Sequence, residues 1–343
     1  MLTNVRKSDY SNLRVDRVMS AQAMEFFQTD DRFLAVKDVP LLKVDEPAGI
    51  LSVLDTDDLN RDEVQVRGRE SEAEKAGFKY KDVTFKTDER SLEYDLNAAQ
   101  LAGALKQGRD PSKVIPWALA YKANIHTEVR FASLWAGASW YRTVTGNATD
   151  GSDSGTAMNR KLWSDATNDP IAAIRKEADI FLQRTGMLAT SIRFGRSLFT
   201  AIATNPLVRA QVAVTVGAAA TVAMYTSPAT IQQLSALLGL KVSVGSAVRN
   251  TAGKNLTATN AFIIPAFDAL MTFDAPAQVI DTSTPTGFAR LAFTGLAPDG
   301  FQVRTFERPE IGAGGSMASV LDIYNGFLIV DNKLGTYFSA MAS

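Results

Sequence analysis

The hydrophobic pattern begins weakly. Residues 1–48 have mixed charges, and apolar positions recur only over a short stretch formed by Val15, Val18, Ala21 and Met24. That spacing predicts one short helix with little core of its own. We therefore expect this first segment to form an arm.

Apolar and polar residues then alternate in four short runs, which is typical of β-strands. The runs contain Ile50, Leu51 and Val53, then Val64 and Val66, then Phe78, Tyr80, Val83 and Phe85, and finally Leu92, Tyr94 and Leu96. The charged segment RGRESEAEKAG lies between the second run and the third. We predict a long hairpin over residues 49–95, whose polar tip lies in solvent or on another molecule.

A long helix is predicted next. Asp110-Pro111 is typical of a helix start, and Pro116 marks a position where a kink can form. The apolar stripe that follows has spacings of three and four over about 25 residues; it consists of Ala118, Tyr121, Ile125, Val129, Ala132 and Trp135. The polar loop TGNATDGSDSGT at residues 145–156 ends this region and indicates a domain boundary.

Helices and strands alternate after the loop. Asp169-Pro170 predicts a helix start and Gly186 its end. A strand is predicted around residues 192–194, then a third helix from Ser227-Pro228 to Gly239, then a strand at residues 242–244. This order predicts a compact α/β domain.

The last third of the chain is predicted to be mainly β. Residues 262–267 and 270–273 are strand-like, and Leu291 and Phe293 are predicted to pair with Phe301 and Val303 across the turn at Pro298-Asp299-Gly300. Asn325-Gly326, between alternating apolar residues, predicts a tight hairpin turn.

Composition narrows the class of protein. The chain has 343 residues, of which 46% are hydrophobic and 21% charged. This composition is typical of a globular protein rather than a disordered one, and the length predicts about two domains. It contains no Cys, which excludes disulfides, thiol nucleophiles and Cys-based metal sites. The longest uncharged run, between Arg209 and Lys241, is broken at Ser227-Pro228. We therefore interpret its apolar part, residues 210–225, as a buried element rather than a membrane span. The first residues of the chain do not predict a signal peptide.

Acidic and basic residues are unevenly distributed along the chain. Residues 1–95 hold 15 Lys and Arg against 21 Asp and Glu, a net charge of −6, whereas residues 96–343 hold 21 against 16, a net charge of +5. The two parts attract each other, either within one chain or between copies.

Few residues suggest chemistry. Ser154 and the single histidine, His126, could be drawn into a hydrolase triad, but a flexible loop would leave the serine unpositioned. The Gly-rich stretch at 312–316 lacks the residues of a phosphate loop, and the acidic segment at 55–62 lacks the Gly and Glu of a calcium loop. Basic and aromatic residues do not form a nucleic-acid platform. We expect no enzyme activity, no cofactor and no metal.

Taken in order, these segments resemble the major capsid protein of tailed bacteriophages, which has the Hong Kong 97-like fold. The local motifs that carry the resemblance are Trp163-x5-Asp169-Pro170, LSALLGLKVSVGSAV at 234–248 and the closing YNGFLIVDNKLGTYF. The resemblance implies an α+β fold with an N-terminal arm (1–48), an extended E-loop hairpin (49–95), a P-domain with a long spine helix (96–145 and 283–318) and an α/β A-domain (146–282 and 319–343).

The resemblance also implies a structural protein that assembles with itself, as pentamers and hexamers, into an icosahedral shell around double-stranded DNA. A separate scaffolding protein and a portal are the expected partners, together with DNA bound without sequence specificity on the inner surface; a decoration protein is a further candidate. The expected location is the virion, after synthesis in the host cytoplasm, with no membrane partner. A covalent cross-link through Lys75 or Lys79 is not carried over, because no matching acceptor loop is recognised.

Subunit contacts are expected to pair the acidic hairpin with the basic body. Asp88 and Glu89 are further acidic candidates. The candidate interface residues are Arg69, Glu70, Glu72, Glu74, Lys75, Lys79, Arg130, Arg142, Arg160 and Lys161. Two alternatives remain: an encapsulin-type compartment shell, which would bind cargo enzymes, and a soluble α/β enzyme, which would need a convergent polar pocket.

Overall fold

A computed structural model of the chain describes residues 14–15, 17–56, 62, 64, 77, 79–108, 111–137, 140–216, 228–253, 256–275, 279–280, 284–295, 300–309 and 315–343. The helices are α1 (Arg17–Thr29), α2 (Leu34–Lys37), α3 (Ala98–Lys106), α4 (Pro111–Gly137), α5 (Pro170–Thr185), α6 (Arg196–Thr204), α7 (Pro206–Val216) and α8 (Ile231–Leu238), with a 3₁₀ turn at Asn332–Leu334. The strands are β1 (Arg14–Val15), β2 (Leu41–Val44), β3 (Ala48–Leu54), β4 (Tyr80–Lys86), β5 (Asp88–Asn97), β6 (Arg142–Asn147), β7 (Ala157–Lys161), β8 (Ser191–Gly195), β9 (Lys241–Gly245), β10 (Val248–Asn250), β11 (Asn260–Phe262), β12 (Ala269–Thr272), β13 (Val279–Ile280), β14 (Phe288–Phe293), β15 (Phe301–Arg308), β16 (Ser316–Ile329) and β17 (Gly335–Ser339).

Two mixed sheets organise the molecule. A seven-stranded sheet has the order β1-β15-β16-β14-β2-β13, and β5 also pairs with β16. A six-stranded sheet has the order β7-β6-β17-β12-β8-β9. The predicted α+β fold class is confirmed. The predicted boundaries at 145/146 and 318/319 fall inside the continuous strands β6 and β16, so the division into P-domain and A-domain stays a prediction in its details.

The long helix is confirmed as α4, 27 residues with Pro116 inside it. Its two ends enter different parts of the core. Ile115 packs with residues of β15 and β16, whereas Phe131 and Trp135 pack with Phe288 of the seven-stranded sheet. The helix therefore works as a spine under the larger sheet.

The helix signals of the α/β region are also confirmed. The Asp169 carboxylate accepts hydrogen bonds from the backbone N–H groups of Ile171 and Ala172, and Gly186 ends α5 with a φ of 68°. The third helix, α8, ends at Gly239 as predicted. It begins after Thr230 rather than at Ser227-Pro228, because Thr230 forms the capping box.

The N-terminal expectation is wrong in one respect. Helix α1 exists, but Met19 and Ala23 are its buried residues, whereas Val18 is 68% exposed. Farther along, Leu42 and Val44 are buried in β2, which pairs in parallel with β14. Residues 17–44 therefore contribute to the core of the subunit instead of forming an arm that lacks one.

Two predicted strand pairings are corrected by β16. Asn325-Gly326 does not form a turn, since it lies inside this continuous 14-residue strand. Strands β14 and β15 do not pair with each other, because β15 pairs with residues 316–323 of β16 and β14 pairs with residues 325–329. Elsewhere, the strand predicted at 262–267 overlaps the observed strand β11 only at Phe262, while β12 matches the strand predicted at 270–273.

Gly326 is explained by a close approach of backbone rather than by a turn. A Cβ atom added there would lie 2.5 Å from the carbonyl oxygen of Lys86, where the hairpin strand β4 ends. We expect Gly326→Ala to lower the free energy of unfolding by about 1–3 kcal/mol, because the added atom overpacks this crossing. Gly103→Ala in α3, which would meet no atom within 4 Å, is the control and should be neutral or stabilising. Denaturant unfolding measures both; equal stability of the two variants would contradict this explanation.

Candidate subunit-interface surfaces

The hairpin of β3 and β4 has one face on the body and one face in solvent. The two strands pair over residues 48–54 and 80–86. Leu51, Val53 and Phe85 are buried against β2, β14 and β16. The opposite face leaves Ile50 65% exposed and Tyr80 63% exposed. The hairpin predicted over 49–95 is only partly correct, because β5, which holds Leu92, Tyr94 and Leu96, pairs with β16 instead. The hairpin of β3 and β4 presents apolar surface that the described residues do not cover.

The predicted interface residues at the hairpin tip lie outside the described residues; these are Arg69, Glu70, Glu72, Glu74 and Lys75. Lys79 is described and exposed at the start of β4, where its carbonyl oxygen accepts a hydrogen bond from the Asp55 backbone N–H.

An elbow at Thr87 joins the hairpin to the body. The Thr87 N–H and hydroxyl both donate to the carbonyl oxygen of Pro47, at 2.7 and 2.9 Å. Next to it, Arg130 of α4 donates to Asp88 at 3.0 Å and to the side chain of Asn325 at 2.8 Å. Hydrogen bonding to Arg90 is the largest cause that lowers the pKa of Asp88, and Arg130 adds to it. Arg130, expected to meet acidic residues of another copy, is therefore already paired with Asp88 of its own chain.

Arg142 and Arg160 require the same correction. The Arg142 side chain is fully buried and contacts Glu177 at 2.6 Å and Asp153 at 2.8 Å, while Arg160 contacts Glu177 at 2.9 Å. The Arg142 guanidinium and the Gly155 N–H lower the pKa of Asp153 to about 2. Arg142 thus fixes the loop after β6 to helix α5, and Arg160 fixes β7 to the same helix. Neither faces solvent, because each has a carboxylate within its own subunit.

Lys161 is the basic candidate that stays partly at the surface. Its side chain is 30% exposed and pairs with Asp165 at 3.0 Å. Hydrogen bonds from the Thr167 backbone and hydroxyl, and then from Lys161, lower the pKa of Asp165 to about 2. An exposed pair of this kind contributes little stability and leaves Lys161 able to exchange partners.

The contact between the two sheets was not predicted from the sequence. Arg193 in β8 is 1% exposed; it bonds Asp274 and donates to the carbonyl oxygen of Asp38 at 2.9 Å. Its guanidinium also lies 4.8 Å from the ring centre of Phe288 in the larger sheet. A cleft of about 450 Å³ opens beside it, lined by Asp38, Lys241 and Asp274 among others. The sequence gives no signal of this contact, because Ser191 and Arg193 alternate with Ile192 and Phe194 and the pattern places the arginine on a polar face of the strand.

A second hairpin, formed by β10 and β11, was also missed. The strands pair Val248 with Phe262 and Asn250 with Asn260. Every residue of both strands is exposed, and Leu256 between them is 70% exposed. Strands β10 and β11 therefore form a second exposed hairpin, attached to the body through the buried Ile263 and Ile264.

The residues considered for catalysis are not brought together. The Ser154 hydroxyl donates to the carbonyl oxygen of Ala157. His126 lies on α4, where burial and the charges of Arg90 and Arg130 lower its pKa. Residues 312–314 of the Gly-rich stretch and residues 57–60 of the acidic segment lie outside the described residues.

Two kinds of site are absent from the described residues. No cluster of three or more His, Asp or Glu side chains there could hold a metal ion. No helix within the described ranges is long and apolar enough to cross a membrane. Helix α7 occupies the start of the apolar run, with Val212 and Ala213 buried, and residues 217–225 lie outside the description.

Comparison with solved structures identifies the fold. A phage-related protein from Bordetella bronchiseptica shares 15% of its residues with this chain at a TM-score of 0.67, over 96% of this chain and 97% of the other. The capsid structure of cyanophage P-SCSP1u gives 7% identity and a TM-score of 0.54, over 89% and 87%. The mature capsid of bacteriophage PhiM1 gives 9% and 0.50, over 88% and 85%. No protein-family model and no curated protein matches the sequence. The chain has the Hong Kong 97-like fold that the order of its elements indicates.

Proposed function

We propose that this chain is the structural subunit of the icosahedral shell of a tailed phage, and that it encloses the double-stranded DNA genome by assembling with copies of itself. One observation carries the proposal: in a chain with this fold, the β3-β4 hairpin leaves Ile50 and Tyr80 largely exposed although its other face packs on the body. An apolar surface held in place but uncovered favours contact with another molecule.

The size of each contact suits assembly of many copies. Burying one such apolar side chain yields about 1.5–3 kcal/mol, so a single hairpin contact is weak. Weak contacts dissociate quickly, which allows a misplaced subunit to leave before the shell closes. Repetition over all subunits then stabilises the closed particle.

The proposal includes the finer assignments that the fold suggests. The copies form pentamers and hexamers, with a separate scaffolding protein and a portal during assembly, DNA on the inner surface and a decoration protein as a further candidate. The subunit is made in the host cytoplasm and ends in the virion, and its role is structural, not enzymatic. The tip residues, Lys79 and Lys161 remain proposed contacts between copies.

Electron microscopy tests this function. Purified protein, alone and with its scaffolding protein, should give closed icosahedral particles in negative stain. Particles isolated from infected or induced cells should contain nuclease-protected double-stranded DNA. A chain that stays monomeric under all assembly conditions, or particles that hold enzyme cargo instead of DNA, would overturn the proposal.

The exposed hairpin face gives a sharper test. We expect Ile50→Asp to abolish particles or to raise the protein concentration needed for assembly at least tenfold, because a carboxylate would be buried in every repeated contact; tenfold corresponds to about 1.4 kcal/mol per contact. Ile50→Val keeps the surface apolar and should assemble normally. Since Ile50 is 65% exposed, both variants should unfold at nearly the wild-type temperature. Normal assembly of Ile50→Asp would show that this face is not a contact.

A further inference from the structure

The segments beside the two lateral edges of the six-stranded sheet differ in charge. Strands β6, β7, β8, β9 and β17 run in one direction and only β12 runs in the other, so their C-terminal ends meet at one end of the sheet. Strand β7 is one edge and β9 is the other. Five strand spacings of about 4.8 Å separate the edges by about 24 Å. The segments that follow β9 and β6 therefore leave the sheet at the same end and on opposite sides. The segment after β6 then turns back beside β7, with Asp150 near the end of that strand and Asp153 opposite Met158.

The β9 side carries the exposed hairpin of β10 and β11. From Ser246 to Phe267 the sequence contains Arg249 and Lys254 and no acidic residue. Arg249 is exposed and has no carboxylate partner within the described part of the chain. Val248 and Phe262 lie opposite each other on one face and are 38% and 42% exposed. This surface combines positive charge with uncovered apolar area.

The β7 side carries the loop of residues 147–156, which contains Asp150 and Asp153 and no basic residue. All ten residues are exposed, but hydrogen bonds and an ion pair tie the loop to the sheet. The Gly151 N–H donates to the carbonyl oxygen of Asn159 at 2.9 Å, and Asp153 is bound by the buried Arg142. Asp150 accepts a hydrogen bond from the Lys161 backbone N–H at 2.8 Å and makes no ion pair among the described residues. A loop ordered in advance loses little entropy when it binds.

We propose that the hairpin of residues 248–262 contacts the acidic loop of residues 147–156 in a neighbouring copy of the same chain. This contact rests on the proposed function, because it needs copies placed side by side. Each copy carries Arg249 and Asp150 toward the same end of the sheet and on opposite sides, so one rotation applied repeatedly brings every hairpin to the next loop. The contact is therefore heterologous, and it continues from copy to copy until a ring closes. Arg249 meets Asp150, because Asp153 is already paired with Arg142, and the apolar residues of the hairpin supply the area that is buried.

The absence of cysteine from the chain allows a clean test by cross-linking. Thr149→Cys places a thiol in the loop, and Thr251→Cys places one beside Arg249, both at exposed positions that leave the charges intact. Within one chain the two thiols lie across the width of the sheet, far beyond the roughly 7 Å that a disulfide spans between Cα atoms. Oxidised particles of the double variant should give a ladder of covalent products larger than dimers on a non-reducing gel.

The single variants are the matched controls. Neither should cross-link alone, because a heterologous contact never places residue 251 beside residue 251 or residue 149 beside residue 149. Particles assembled from an equal mixture of the two single variants should give covalent dimers and nothing larger. A single variant that forms dimers efficiently would indicate a two-fold contact and overturn the proposal. Particles of the double variant that form normally but give no ladder would overturn this contact and leave the proposed function standing, whereas absence of particles from the unmodified chain would overturn both.

Discussion

We expect the Glu177→Gln variant to lose about 3–5 kcal/mol of its free energy of unfolding, which is the cost of removing one partner from a buried ion pair. The Glu177 side chain is 1% exposed and lies between Arg142, which is fully buried, and Arg160, which is 9% exposed. Glutamine keeps the shape but removes the charge. Asp153 still compensates Arg142, but Arg160 loses its only carboxylate among the described residues.

An exposed ion pair provides the control for this prediction. Glu93 pairs with Arg308 at 2.7 Å, and their side chains are 36% and 28% exposed. Glu93→Gln should therefore cost only about 0.2–1 kcal/mol. Denaturant unfolding of unassembled subunits measures both changes. Similar small losses in the two variants would mean that the buried network is not a structural support of α5 and the acidic loop.

The consequence of Glu177→Gln for assembly follows from its position. Arg142 lies at the start of β6, and its bonds to Glu177 and Asp153 tie the loop of residues 147–156 to helix α5. Weakening this network frees the loop, so a contact through the loop would have to restore its order on binding. The cross-linked ladder of the double cysteine variant should accordingly become weaker when Glu177→Gln is added.

Helices were predictable from sequence because their signals are local. The Asp169 side chain caps the backbone two and three residues ahead, and Gly186 ends the same helix with a positive φ, so both signals lie within the element itself. The long helix α4 was predicted in the same way, from Asp110-Pro111 and the stripe that follows. The buried residues of α1 were not predicted, because Val18 and Met19 are equally apolar and only the packing of the helix decides which one faces the core.

Strand partners and charge partners were not predictable, since both depend on residues far apart in sequence. Asn325-Gly326 is a strong local turn signal, yet β16 continues through it because β5, β14 and β15 all pair with that strand. Similarly, counting charges indicates an acidic hairpin and a basic body, but it cannot show that Arg130 reaches Asp88 of its own chain. The expected contacts between copies therefore lie on the exposed faces of the two hairpins rather than on Arg130, Arg142 and Arg160 of the body.

The second large effect is expected in the pH dependence of the free energy of unfolding, and it comes from the buried carboxyl of Glu128 on α4. Glu128 is fully buried, and its carboxylate accepts a hydrogen bond from the Ala35 backbone N–H at 2.8 Å. Burial raises its pKa from 4.5 to about 7, although the backbone hydrogen bonds of Ala35 and Leu34 oppose this change. Between these two values the folded chain holds a proton that the unfolded chain has lost, so the free energy of unfolding must fall as the pH rises from about 4.5 to 7. The shift of about 2.5 pH units corresponds to about 3 kcal/mol.

We expect Glu128→Gln to remove this fall in stability and to be more stable than the wild type at pH 8, by up to about 3 kcal/mol, because the neutral amide has no buried charge to desolvate. His126, two residues away, acts in the opposite direction: its lowered pKa means that the folded chain binds less proton, so its contribution increases as the pH rises. The free energy of unfolding must therefore be compared between variant and wild type at each pH. Denaturant unfolding of unassembled subunits from pH 4.5 to 8 measures it. His126→Gln is the control, because it leaves the Glu128 effect in place. If Glu128→Gln and the wild type show parallel pH profiles, the Glu128 carboxyl is not protonated in the folded subunit and the contact with Ala35 holds it ionised.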